Sequence, residues 1–142
     1  MKRNLFAWGF VLMFLLLAGC GSSKSASESM EILTATDWKL SSIKGEGVDS
    51  SEYPKEIPTV TFTNDLKITG NGGCNQFGGS YNINEENGIN ISELVSTKMF
   101  CEGVAENKFF DALNSANIIK ITEDKLVLYD EADEVLTFVP NK

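Results

Sequence analysis

The chain of 142 residues contains no histidine. That removes the commonest general base at neutral pH and the commonest neutral metal ligand. No Ser-His or Cys-His nucleophile pair can be assembled within it. Basic residues are few: 12 Lys and Arg stand against 20 Asp and Glu, a net charge of −8. An acidic chain repels phosphate backbones and anionic headgroups, which argues against nucleic acid as a partner and against membrane binding through charge. There are three prolines. Pro54 and Pro58 fall in a charged stretch, 45–58, that reads as an irregular loop, and Pro140 cannot extend a central ladder. The one long apolar run, Leu5 to Gly19, has 15 residues, short of the ~20 that a spanning helix needs.

That run follows the short basic start Met1-Lys-Arg-Asn4 and leads into Leu17-Ala18-Gly19-Cys20. A basic start, an apolar centre and small residues before a cut describe a secretory signal peptide, here residues 1–19. Leu-Ala-Gly-Cys resembles the bacterial lipoprotein signal. That resemblance implies cleavage before Cys20, a thioether-linked diacylglycerol on its sulfur and an N-acyl chain of the palmitate kind. Two or more chains anchor stably where one is marginal. Residues 20–33 are expected to form the lipidated N-terminus and a flexible tether, because Gly21 to Ser29 offers no large apolar side chain to a core. By resemblance to enterobacterial lipoproteins, Gly21, and not Asp, after the lipidated cysteine implies an outer membrane in a cell that has one. Removal of the signal deletes Lys2 and Arg3 and no acid, leaving ten basic residues against twenty acidic, or −10.

Three cysteines leave one over in an exported protein. Lipidation of Cys20 resolves this, and the remaining pair, Cys74 and Cys101, is expected to oxidise outside the cytoplasm. The alternative is two buried free thiols, which pack as small hydrophobes.

Residues 34–142 read as one domain. Trp38–Ile43, Pro58–Thr63 and Leu66–Thr69 alternate apolar with polar, with Val60, Phe62, Leu66 and Ile68 facing inward. Further strands are expected at Gly79–Ile83, Ile89–Ile91, Ile118–Ile121, Leu126–Tyr129 and Val135–Val139, and Leu94–Cys101 reads as a strand or an extended segment. Between Glu102 and Asn117 the period changes: Phe109, Ala112, Leu113 and Ala116 form one helical stripe. The expected fold is mainly β, a small antiparallel barrel-like or coiled-sheet domain of seven or eight strands with one α-helix over an opening.

The stretch Gly70-Asn-Gly-Gly-Cys-Asn-Gln-Phe-Gly-Gly-Ser-Tyr81 holds five of the twelve glycines. It requires positive φ or close backbone approach at several points. Asn71, Asn75, Gln76 and Phe77 within it are the candidate binding loop. The competing reading is architectural, since tight sheet corners use the same residues. Acids in loops (Asp49, Glu52, Glu56, Glu85, Glu86 and the run Asp130-Glu-Ala-Asp-Glu134) lack the spacing of a calcium loop and read as solvated surface. No metal site, cofactor or catalytic residue is expected.

Six motifs in order, Trp38-x-Leu40-x-x-Ile43-x-Gly45, Pro58-Thr-Val-Thr-Phe62, the glycine-rich stretch, Ser96-Thr-Lys-Met-Phe-Cys101, Glu106-x-x-Phe109-x-x-x-Leu113 and Leu126-Val-Leu-Tyr-Asp130, resemble the META domain (HslJ-like) family from Trp38 to Pro140. The resemblance implies an envelope or secreted β-barrel-like domain with one helix, associated with heat shock or antibiotic tolerance. It implies no particular reaction, and it agrees with a Cys74–Cys101 pair. The expected function is therefore a lipid-anchored, monomeric envelope module that binds an envelope protein without catalysis. The alternatives are inhibition of a lytic enzyme by a projecting loop, or a carboxylate-based hydrolase, which needs two acids in a cleft.

Overall fold

The computed structural model describes residues 25–142. The signal peptide, Cys20 and the first part of the tether lie outside the described residues.

Two helices and nine strands follow one another: α1 (Ala26–Ala35), β1 (Asp37–Ile43), β2 (Glu46–Gly47), β3 (Thr59–Phe62), β4 (Lys67–Asn71), β5 (Gln76–Ile83), β6 (Ile89–Ser96), α2 (Glu106–Ser115), β7 (Ile118–Ile121), β8 (Leu126–Asp130) and β9 (Asp133–Pro140). The strands form one antiparallel sheet in the order β6-β5-β4-β3-β1-β9-β8-β7, with β2 paired to β1. The alternation read from the sequence is what buries one face: Trp38, Val60, Phe62, Ile68, Leu128, Leu136 and Phe138 meet in a single core.

The sheet is open but coiled, and its two ends touch. Ile89 donates its backbone N–H to Asn117, and Ile119 donates to Asn87, both at 2.9 Å, around a single bridge between Gly88 and Ile118. Beyond that bridge the partner of β6 would be the backbone of α2. A helix has already used its donors and acceptors, so the ladder stops there. Bulges interrupt the pairing at Leu40/Ser42, Gly78/Ser80 and Leu128/Tyr129, where they steepen the coil.

Several expectations change. The strand count is nine because Lys44 and Gly45, at φ 50° and 78°, form a two-residue hairpin turn of the type that needs positive φ at both positions. This adds β2 inside the stretch read as loop. The return strand at Ile89 and the segment from Leu94 fuse into β6, which ends at Ser96. Leu66 does not face inward: at φ 62° it sits in the β3–β4 turn and is 45% exposed.

The tether reading fails from Ala26 on. Ser25 accepts the Glu28 N–H at 3.3 Å and caps a helix, α1, which buries Leu33 and packs Met30 and Ile32 against the core. The indole N–H of Trp38 donates to the Leu33 carbonyl at 3.1 Å, tying α1 to β1. Helix α2 buries Phe109, Ala112 and Leu113, as its stripe requires, and packs on β9, β1 and β8.

Candidate functional site

The glycine-rich stretch is a β-hairpin, not a free loop. Asn71 pairs with Gln76, so only Gly72 to Asn75 lie between β4 and β5. The turn is held from inside. Asn71 accepts the Gly73 N–H at 2.6 Å. Gly73 takes φ 105°, which a side chain would strain. Asn75 is 5% exposed. Its side-chain amide donates to a Glu106 carboxylate oxygen at 2.7 Å and to the Met99 carbonyl at 3.1 Å. Its carbonyl oxygen accepts from the Thr97 hydroxyl and the Met99 N–H, each at 2.7 Å. Its own backbone N–H reaches the other oxygen of Glu106 at 2.7 Å.

Phe77 is also buried, against Phe109 and Phe110 with ring centroids 5.8 and 5.4 Å away. Of the four candidate binding residues, Asn75 and Phe77 are therefore turned into the protein, Asn71 braces the turn, and Gln76 alone is exposed. Cys74 and Cys101 are joined, with Cα atoms 6.1 Å apart. The bond pins the strand-free segment after β6, at whose tip Met99 and Phe100 are 57% and 91% exposed.

Elsewhere four segments form the three walls of a groove of about 910 Å³. The β1–β2 hairpin forms one wall, the β8–β9 turn a second, and α2 with the segment carrying Glu52 and Tyr53 a third. Half-buried Ile43 and Val48 give an apolar floor over Ala112 and Val135. Six acids line it (Glu46, Glu52, Asp111, Asp130, Asp133, Glu134) against two bases, Lys44 and Lys108, a local balance of −4. Lys108 is paired with Glu52, which raises its pKa through that hydrogen bond and charge. Glu134 accepts from the Thr137 hydroxyl at 2.6 Å, and Asp130 from the Asn117 amide at 3.2 Å. Tyr53 lies under the same wall, 3% exposed, and donates its hydroxyl to the Ala105 carbonyl at 3.1 Å. Burial first, then the charges of Glu52 and Glu106, push its pKa up to about 12. Among the described residues no three acidic or cysteine side chains converge as a metal site.

The model of the META domain matches residues 31–142, most of the chain. The chain belongs to the META domain family. It is similar to heat shock protein HslJ of Escherichia coli (strain K12), 28% identical over 133 residues and covering 91% of each chain. Two solved structures share the fold. One is a DUF4847 family protein from Bacteroides vulgatus, at TM-score 0.59 and 20% identity over 79% of this chain and 96% of that one. The other is a protein from Burkholderia xenovorans, at 0.62 and 23% over 80% and 87%.

Within this META domain, the motifs that carry the resemblance are largely scaffold: Asn75, Phe77, Glu106 and Phe109 hold one another. The groove went unread in the sequence because its walls come from separate turns. In the sequence the acids of 130–134 and Glu52 read as solvated surface, and folding sets several of them around one concavity. The Lys44-Gly45 turn was the available signal for the first wall, and the Ser25-x-x-Glu28 capping box was the signal for α1.

Proposed function

We propose that this protein is a lipid-anchored envelope module of the stress response that works by contact, with the groove as its contact face. The observation that carries the reading is the contrast between the two candidate surfaces. The polar groups of the glycine hairpin are already engaged internally, while the groove is open and bordered by acids of which one among the described residues, Glu52, is ion-paired, to Lys108 in the same wall. Its volume lies within the range of ligand clefts. A relative named as a heat shock protein supports the stress assignment. The N-terminal pattern ending at Cys20 supports the anchor.

A photo-crosslinking residue at Ser115, inside the groove, should trap a partner in intact stressed cells, and the same residue at Leu66 should not. Equal capture from both positions would remove the groove from the proposal. Mass spectrometry of the mature protein should find its N-terminus at Cys20 with added acyl mass. An intact Met1–Gly19 or an unmodified Cys20 ends the anchor reading.

A second reading has its own observation: Met99 and Phe100 project from a disulfide-held segment, as an inhibitory loop would. Crosslinking from Phe100, with none from Ser115, would favour it.

A further inference from the structure

Resting on the groove as contact face, we infer that its ligand is a cationic amphipathic chain, such as a basic segment of an envelope partner. Three features select this chemistry. The rim carries six acids against two bases, and Lys108 is already matched by Glu52. The acids do not converge: no cluster among the described residues could hold a metal ion. Charge spread along about 910 Å³ suits several separated cations on one flexible chain better than a single ion. Between the acids runs the apolar floor of Ile43 and Val48, which takes the alternate, uncharged side chains.

Other occupants fit less well. An uncharged apolar molecule would strip water from the carboxylates and return no hydrogen bond. A second copy placed symmetrically would set one acidic groove against another. The long-range field agrees with the local one, since a net charge of −8 steers a polycation toward the protein. The Glu52–Lys108 pair at the lip is exposed, so an incoming ligand cation can replace Lys108 on Glu52 without leaving either carboxylate oxygen dry.

The probe is a fluorescent octapeptide alternating lysine and leucine, titrated into the full-length protein in non-ionic micelles, with empty micelles as blank. Saturable binding is expected, weakening steeply as salt rises past the range where the screening length falls below ~10 Å. The combined change Glu46→Gln, Asp111→Asn and Asp133→Asn should weaken it at least about tenfold, the loss expected when close charge pairs are removed. Removing the same charge elsewhere, by Glu85→Gln, Glu86→Gln and Glu102→Gln, should cost less than about twofold, a change in the general field alone. Circular dichroism of both variants checks that each is folded.

Equal loss in the two variants overturns the inference, because the general field then accounts for binding. If the peptide does not bind while Ser115 still crosslinks a neutral or acidic partner, the ligand class is wrong and the contact face stands. If neither occurs, both fall.

Discussion

Asn75 has two N–H bonds and two acceptor sites on its side chain, and the fold answers all four with Glu106, Met99 and Thr97. Truncating it leaves one carboxylate oxygen of Glu106 and the main-chain N–H of Met99 without their partners in a nearly closed space, while the Asn75 backbone N–H keeps the other Glu106 oxygen. Unsatisfied buried groups cost about 1–3 kcal/mol each, more when charged. Asn75→Ala should therefore lower stability by more than ~2 kcal/mol in a urea titration with unchanged slope. Gln76→Ala, an exposed neighbour, should stay within about 0.5 kcal/mol. Tyr53 gives a pH signature at the same scale. Its folded pKa, about 12, exceeds its ordinary 10.0. The stability it contributes is complete below pH 10 and is lost as pH rises through about 12. The urea midpoint should hold up to pH 10 and then fall. Tyr53→Phe should flatten that fall without abolishing it, since burial and Asp65 also raise the pKa of Tyr81.

At the scale of the element, the β4–β5 hairpin separates glycines that look alike in the sequence. A methyl on Gly70 would land on the Thr59 carbonyl oxygen and crowd the Phe77 ring at 2.9 Å. On Gly78 it would meet its nearest atom at an ordinary 3.8 Å. Gly70→Ala should cost at least the ~1–3 kcal/mol of an overpacked site, and Gly78→Ala less than about 1 kcal/mol, both read from thermal or urea midpoints. Strand alternation could be read directly because it is a local pattern: Val60 with Phe62 and the α2 stripe are buried as their spacing requires. What stayed hidden depends on partners distant in the chain. The polar start of α1 reads as tether until Trp38 and the core are there to receive Leu33. The amide of Asn75 looks available for a ligand until residues 97–106 fold over it, and that of Asn71 until the turn brings the Gly73 N–H onto it. Leu66 fits an alternating strand, but its positive φ belongs to the turn.

For the whole molecule, the Cys74–Cys101 bond joins the hairpin to the segment leading into α2, across a separation of 27 residues. A loop of that length constrains the unfolded chain by ~3–4 kcal/mol in the entropy model. Cys74→Ala, Cys101→Ala and the double variant should each lose about that amount, because one constraint cannot be removed twice. Stepwise addition of the two losses in the double variant would show that the thiols contribute separately.

The docking of α1 also sets a length. Once Ala26 belongs to a packed helix, five residues, Gly21 to Ser25, separate it from Cys20. Fully extended, five residues reach about 18 Å, against about 45 Å for the thirteen from Gly21 to Leu33. With Cys20 acylated as proposed, the volume that the domain's first residue can sweep above the bilayer shrinks roughly as the cube of that ratio, about fifteenfold. The local concentration of the domain beside a membrane-embedded partner rises by the same factor, and a partner standing far out in the aqueous space is beyond reach.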